Sequence, residues 1–148
     1  MRLVIVGPDD GFLSTLKRQI EDLEIGDRIL FTGPLHESDK LGAYVDADVF
    51  VTPSFLGFPV TFLEACACGT PIITTNKGDK LDWIHDKVGY VVEYNKEQLQ
   101  DAMSEILSDE GLMRRFGEEG KRLVREKFSW DIIVTKVENI YRNATRSR

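Results

Sequence analysis

The chain has 148 residues, 42% of them hydrophobic and 30% charged, which suits one soluble globular domain and excludes disordered and fibrous classes. A formal charge of −6 argues against a dedicated nucleic-acid binder, which needs a net basic face. No apolar run approaches the roughly 18 residues of a membrane span, and MRLVIVG is too short for a secretory signal, so no transmembrane segment is expected.

Apolar, β-branched segments alternate with segments of helical period. The strand candidates are Leu3–Val6, Ile29–Thr32, Val49–Thr52, Pro71–Thr75 and Gly89–Glu93. They are nearly continuous apolar runs, the pattern of parallel strands covered on both faces. Phe12, Leu13, Leu16, Ile20 and Leu23 recur at helical spacing, predicting a helix over 12–24. Short helices are expected at Asp39–Val45 and Leu81–Asp86, and a buried one at Val60–Cys68. Further helices are expected over 96–107, with Asn95 as N-cap, and over 110–127. A last helix, 130–143, is expected to bury Trp130, Ile133, Val137 and Ile140. Basic residues at Arg114, Arg115, Lys121, Arg122, Arg125 and Lys127 alternate with acids, as on a solvated helix face. Cys66 and Cys68 lack a ligand cluster around them, so they read as small core residues of a reducing compartment, and no metal site is expected.

This alternation implies an α/β fold with a mostly parallel sheet and helices on both faces. Ligands in such folds sit beyond the carboxyl ends of the strands, which selects four loops: Gly7–Gly11, Gly33–Asp39, Pro53–Pro59 and Thr74–Asp79. GPDDG at 7–11 lacks the spacing of a dinucleotide fingerprint and its acids repel phosphate, so a tight turn with acidic capping is the reading. In the second loop, backbone groups at Gly33 can meet a flat base edge-on while Leu35 packs on its face. His36 and His85 have no motif behind them.

The third loop is the densest. Gly57 permits close backbone approach, and Pro59 suits a first helical turn because its missing N–H has no helical partner anyway. The N–H groups of Val60 and Thr61 then make a ready diphosphate site. Glu64 has two readings at this stage. Thr61-Phe62-Leu63-Glu64 has the spelling of a capping box, and the same carboxylate can face a ligand.

LVIVG at 3–7, GDRILFTGPL at 26–35, Tyr44 with ADVFVTPS at 47–54, GFPVTFLEACACGTPIITT at 57–75, GYVVE at 89–93 and KFSW at 127–130 together resemble one family. It is the donor-binding C-terminal domain of retaining, GT-B-fold glycosyltransferases of the group-1 (family 4) class. The resemblance covers essentially the whole chain. It implies a Rossmann-like half of a GT-B fold, residues 1–148 forming one nucleotide-sugar-binding domain. It also implies a nucleoside-diphosphate sugar as donor substrate, with no further cofactor and no metal.

In that family two glutamates bracket the loop. The second bonds the ribose hydroxyls and falls on Glu64, a job suited to a carboxylate because it accepts two hydrogen bonds from a cis-diol. The intervening loop binds sugar and diphosphate through its backbone, which implicates Gly57, Phe58, Pro59, Val60 and Thr61. The loop after the FTG strand meets the base, implicating Gly33 and Leu35. The first glutamate falls on position 56, where this chain has Leu56, which implies a lost contact to the donor sugar. No residue is assigned as catalytic.

Family members also carry an N-terminal acceptor domain and a first strand followed by an Arg and a Lys that neutralise the diphosphate. Nothing of that kind precedes Leu3, so the chain resembles a donor domain begun at its second strand. Two outcomes are then expected for LVIV and VFVT: direct pairing, or a gap filled by an edge or partner chain. The expected partners are a nucleotide-sugar and an acceptor domain or partner chain. The expected location is cytoplasmic, peripheral to the membrane when an acceptor domain is joined. The alternative function is a non-enzymatic receiver-like domain, suggested by LVIVGPDDGF, ADVFVTPS and Lys77 after PIITT, or a degenerate interaction domain, suggested by Leu56.

Overall fold

LVIV and ILFTG pair as parallel strands in a computed structural model that describes residues 1–54, 59–77 and 81–146. Two compact units result, Met1–Lys40 and Leu41–Arg148. In chain order the elements are β1 (Leu3–Val6), α1 (Leu13–Asp22), β2 (Ile29–Gly33), α2 (Glu37–Val45), β3 (Phe50–Thr52), α3 (Val60–Cys68), β4 (Ile72–Thr75), β5 (Gly89–Val92), α4 (Lys96–Ser108), α5 (Glu110–Leu123) and α6 (Trp130–Arg146). A 3-10 turn, Gly26–Arg28, leads into β2, and a π-turn, Val124–Phe128, follows α5.

In the first unit β1 and β2 run in register from Leu3 opposite Ile29 to Val6 opposite Gly33, with an irregularity between Ile5 and Val6. The Gly7 N–H extends the pairing to the Gly33 carbonyl at 3.0 Å. Ile20 of α1 is buried, and Lys17 lies over the Phe31 ring, 5.8 Å from its centroid. Leu3, Val4, Val6 and Leu30 stay exposed, so the expectation that every strand is covered on both faces fails for β1 and β2. Two strands and one crossing helix do not supply enough apolar surface to cover both faces.

The second unit meets that expectation. β3, β4 and β5 form a parallel sheet in that order, Ile72 lying opposite both Phe50 and Gly89. Successive side chains of a strand point to opposite faces. Ile72 accordingly joins Tyr44, Phe62, Ala65, Cys66, Leu81, Ile84 and Val88, with Phe50 and Val91 packed alongside. Ile73 faces the other way, with Ala102, Ile106 and Phe116 of α4 and α5 and with Val51, Tyr90 and Val92 around them. Helices on both faces explain why these strands are apolar without alternation.

The helix ends follow local chemistry. The Asn95 side-chain oxygen accepts from the Gln98 N–H at 2.8 Å, the N-cap expected for α4. Asn95→Ala should lower stability by about 1 kcal/mol in chemical denaturation, and an unchanged midpoint would contradict the cap. α3 ends at Gly69 (φ +84), where the Gly69 N–H bonds the Cys66 carbonyl and the Thr70 N–H bonds the Ala65 carbonyl, a Schellman closure. α5 packs on this end through glycines. A Cβ on Gly117 would overlap the Gly69 carbonyl oxygen, and one on Gly120 would come within 3.2 Å of the Cys66 Cα.

Three expectations need correction. Leu81–Asp86 is a run of turns, not a helix, in which Ile84 and Lys87 each bond back three residues and Asp86 takes φ +58. Leu81, Ile84 and Val88 are buried as expected, because consecutive turns place i and i+3 residues on one side much as a helix does. α6 does not bury Trp130, Val137 and Ile140, which are 82%, 43% and 67% exposed, while Ile133 is half-buried. Among the described residues these three side chains are left largely uncovered. Finally, β1 and β3 belong to separate sheets, so LVIV and VFVT do not pair directly. No described helix is long and apolar enough to cross a membrane.

Candidate functional site

β3 leads to Pro53, and three threonine hydroxyls tie the carboxyl ends of β3 and β4. Thr74 Oγ1 donates to the Thr52 carbonyl at 2.8 Å, Thr75 Oγ1 to the Pro53 carbonyl at 2.5 Å, and Thr52 Oγ1 to the Ser54 carbonyl at 3.2 Å. Thr74 and Thr75 are buried, so each hydroxyl needs a partner, and main-chain carbonyls supply it. The result is a hydrogen-bonded end of β3 at Thr52–Ser54. The sequence reading took PIITT only as a strand and missed this role.

Gly57, Phe58 and Leu56 lie outside the described residues. Pro59 is buried as the N-cap of α3, and no side chain caps the helix. Val60 and Thr61 occupy its first two positions and are exposed. The first N–H groups of any helix lack an acceptor within it, so this turn presents donors outward with the positive end of the helix dipole. Thr61 is thus the second helical residue rather than the cap, and Thr61 with Glu64 is not arranged as a capping box.

Glu64 lies one turn further on, half-buried, on a helix whose Phe62, Ala65 and Cys66 are fully buried. Tyr44 Oη stands 3.4 Å from Glu64 Oε2, a long contact for O–H···O that aims the phenol at the carboxylate. Burial, and then the charge of Glu64 and the hydrogen bond to it, push the Tyr44 phenol up to about 12. Tyr44 is therefore a protonated donor at neutral pH. Burial likewise pushes the Cys66 thiol up to about 12, and Cys68 is raised by burial and by Glu64 with Lys121 opposing. Neither thiol is an activated nucleophile.

In the first unit, Gly33 closes β2 with φ +69, a conformation that favours glycine. A Cβ there would meet nothing within 4 Å. Its carbonyl is already engaged by the Gly7 N–H at 3.0 Å and the Thr32 hydroxyl at 2.8 Å. Leu35 is half-buried in the turn before α2. The structure thus brings Pro59, Val60, Thr61 and Glu64 together on one helix of the second unit, while Gly33 and Leu35 belong to the first unit.

Other candidates resolve into local roles. Asp9 Oδ1 accepts from the Gly11 and Leu13 N–H groups at 2.7 and 3.2 Å, the acidic turn expected from GPDDG. His36 is exposed. His85 Nδ1 accepts from the Val91 N–H at 3.2 Å, and the ring lies 5.9 Å from that of Tyr90, so it caps an outer backbone group of β5. Lys77, beyond β4, sits over the Tyr94 ring at 4.0 Å, next to Asn76, whose Nδ2 donates to Glu93 Oε2 at 2.6 Å.

Parallel strands flanked by helices define an α/β domain, with a helix start and a half-exposed acid following β3. The profile of the family described as "Glycosyl transferases group 1" matches residues 1–123, and the chain belongs to that family. It is similar to the GDP-mannose-dependent alpha-(1-6)-phosphatidylinositol monomannoside mannosyltransferase of Mycobacterium tuberculosis, with 30% identity over 99% of this chain and 40% of the relative. The solved sucrose-phosphate synthase of Thermosynechococcus elongatus superposes with a TM-score of 0.81 at 28% identity, covering 99% of this chain and 39% of that one. Alr3699/HepE of Anabaena, solved in complex with UDP, shares the fold with a TM-score of 0.78 at 18% identity, covering 99% and 41%. The chain spans about two fifths of the length of the relatives it matches. The chain is thus a glycosyltransferase domain with the α/β fold of the GT-B enzymes. This membership favours the transferase reading over the receiver-like alternative.

Proposed function

We propose that residues 1–148 form the donor-binding domain of a retaining glycosyltransferase that takes its sugar from a nucleoside diphosphate. Glu64 carries the reading: a half-exposed carboxylate one turn inside a helix that opens at the sheet's carboxyl edge with no side-chain cap. It accepts the cis-diol of the ribose, while the N–H groups of Val60 and Thr61, with Gly57, Phe58 and Pro59 before them, take the diphosphate and sugar. For the first unit by itself, the proposed role is packing of Leu35 against a base, the Gly33 carbonyl being engaged by its own sheet. UDP in a protein of the same fold supports a nucleotide ligand, and the mannosyltransferase relative widens the choice of base.

Chemistry in such a site comes from holding the donor in line with an acceptor and stabilising charge on the leaving diphosphate. The acceptor side belongs to an acceptor domain or a partner chain. The relatives' extra length supports that assignment, as does the apolar stripe that α6 leaves exposed. With Leu56 in place of the first glutamate, the 148 residues alone should bind nucleotide weakly and transfer little sugar.

Calorimetric titration with UDP, GDP and ADP tests the reading. One of the three should bind measurably, and Glu64→Ala should weaken it. Equal binding by the variant removes the ribose role.

A further inference from the structure

We propose that His85 is a proton-operated clasp on the outer edge of β5, closing it as the neutral imidazole and releasing it as the imidazolium. Among the described strands β5 pairs only with β4, so its other side is a sheet edge, where main-chain groups stand open to pairing. The Val92 carbonyl accepts from the Asn76 N–H, just past β4, at 2.8 Å, so Val92 faces β4 and its neighbours Val91 and Glu93 turn outward. Among the described residues three contacts close that edge. The Gly89 carbonyl accepts from the Asp86 N–H at 2.9 Å, the Glu93 N–H donates to Gln98 Oε1 at 2.9 Å, and the Val91 N–H donates to His85 Nδ1 at 3.2 Å. Main-chain N–H groups and carboxamides do not titrate near neutrality, whereas imidazole changes charge between pH 5 and 8. The contact at Val91 is therefore the one that a proton can break.

The bond fixes the tautomer. Nδ1 accepts from Val91 only with a free lone pair, which places the neutral ring's proton on Nε2, 3.5 Å from Asp86 Oδ2. A second proton has only Nδ1 to go to. There it meets the Val91 N–H donor to donor, so the hydrogen bond is lost while the charged ring gains Asp86. Protons reach the ring without any opening, since 54% of the side chain is exposed. Carboxylates outnumber cations around it. Asp86 lies in the same turn, and Asp101 and Glu105 of α4 line one cavity with His85 and Tyr90. Glu105 Oε1 also accepts from Tyr90 Oη at 2.7 Å, and burial together with that bond pushes the Tyr90 phenol up to about 12, so it stays neutral. The nearby cations are engaged elsewhere: Lys87 Nζ donates to the Asp82 carbonyl at 2.6 Å, and Arg115 of α5 lies over the Phe116 ring. Leu81, Ile84 and Val88 stay in the core, so release frees the edge locally and leaves the turns docked.

Imidazole nitrogen chemical shifts and amide hydrogen exchange of the 148-residue chain test this, in wild type and in His85→Asn. The asparagine carboxamide oxygen takes the place of Nδ1 as an acceptor that does not titrate. At pH 8 the His85 shifts should show a bare Nδ1 and a protonated Nε2, and the opposite tautomer would overturn the clasp without any variant. From pH 8 to pH 5 the protection factor of the Val91 amide should fall about three- to tenfold in wild type and change by less than about twofold in His85→Asn. The Val92 amide, on the β4 side, should hold in both proteins. No fall at Val91 in wild type, or the same fall in His85→Asn, would overturn the inference. An equal fall at Val92 would overturn it too, marking a strand that loosens as a whole. Should His85→Asn fail to fold, the tautomer and the comparison of Val91 with Val92 in wild type decide the matter.

Discussion

Gly89→Ala should destabilise the chain by about 2–6 kcal/mol, combining overpacking with backbone strain. Gly89 begins β5 opposite Ile72, with φ +155, and a Cβ built there would overlap the Ile72 carbonyl oxygen and crowd its nitrogen. Relief requires β5 to move away from β4, which would disturb Ile73 against Tyr90 and Thr74 against Val91 in the same register. Domains of this size are stable by only about 5–15 kcal/mol, so the melting temperature should fall by about 10 °C or more. A variant that melts within about 3 °C of wild type would contradict the register of this sheet.

Glu64→Ala should leave folding nearly intact and weaken nucleotide binding by about 2–4 kcal/mol, roughly 30- to 1,000-fold. The estimate is two hydrogen bonds from a diol to a charged acceptor, each worth about 1.5–3 kcal/mol before the cost of ordering the side chain is deducted. Alanine is the better helix former and Glu64 lies beside the buried face made by Phe62, Ala65 and Cys66, which offsets the partner that the Tyr44 hydroxyl loses. Glu64→Gln, which keeps an acceptor without the charge, should fall between the two.

Much of this was legible in the sequence because neighbours along the chain decide it. β1 to β5 lie within a residue or so of the expected runs, and Asn95 caps α4 as its spelling implies. Glu64 stood out as an acid among apolar residues near a helix start. What escaped depends on residues distant in sequence. Tyr44 and Glu64 meet because Tyr44, near the end of α2, joins the core that holds Phe62 and Ala65 of α3, and nothing local to position 44 announces a carboxylate. Thr74 and Thr75 read as strand formers, while their hydroxyls bond the Thr52 and Pro53 carbonyls at the end of β3. The turns at 81–88 share a helix's burial spacing, so periodicity could not separate the two. Trp130, Val137 and Ile140 follow the helical period correctly, but periodicity shows which residues share a face and not whether anything covers it.

The most direct test of the central claim is a thermodynamic cycle on the ribose contact. The nucleoside diphosphate that binds and its 2′,3′-dideoxy counterpart are titrated into wild type and Glu64→Ala. If Glu64 holds the diol, removing the hydroxyls should weaken binding to wild type by roughly 30-fold or more and change binding to Glu64→Ala by less than about threefold. An equal loss in both proteins would show that the hydroxyls are held elsewhere, and would contradict the account.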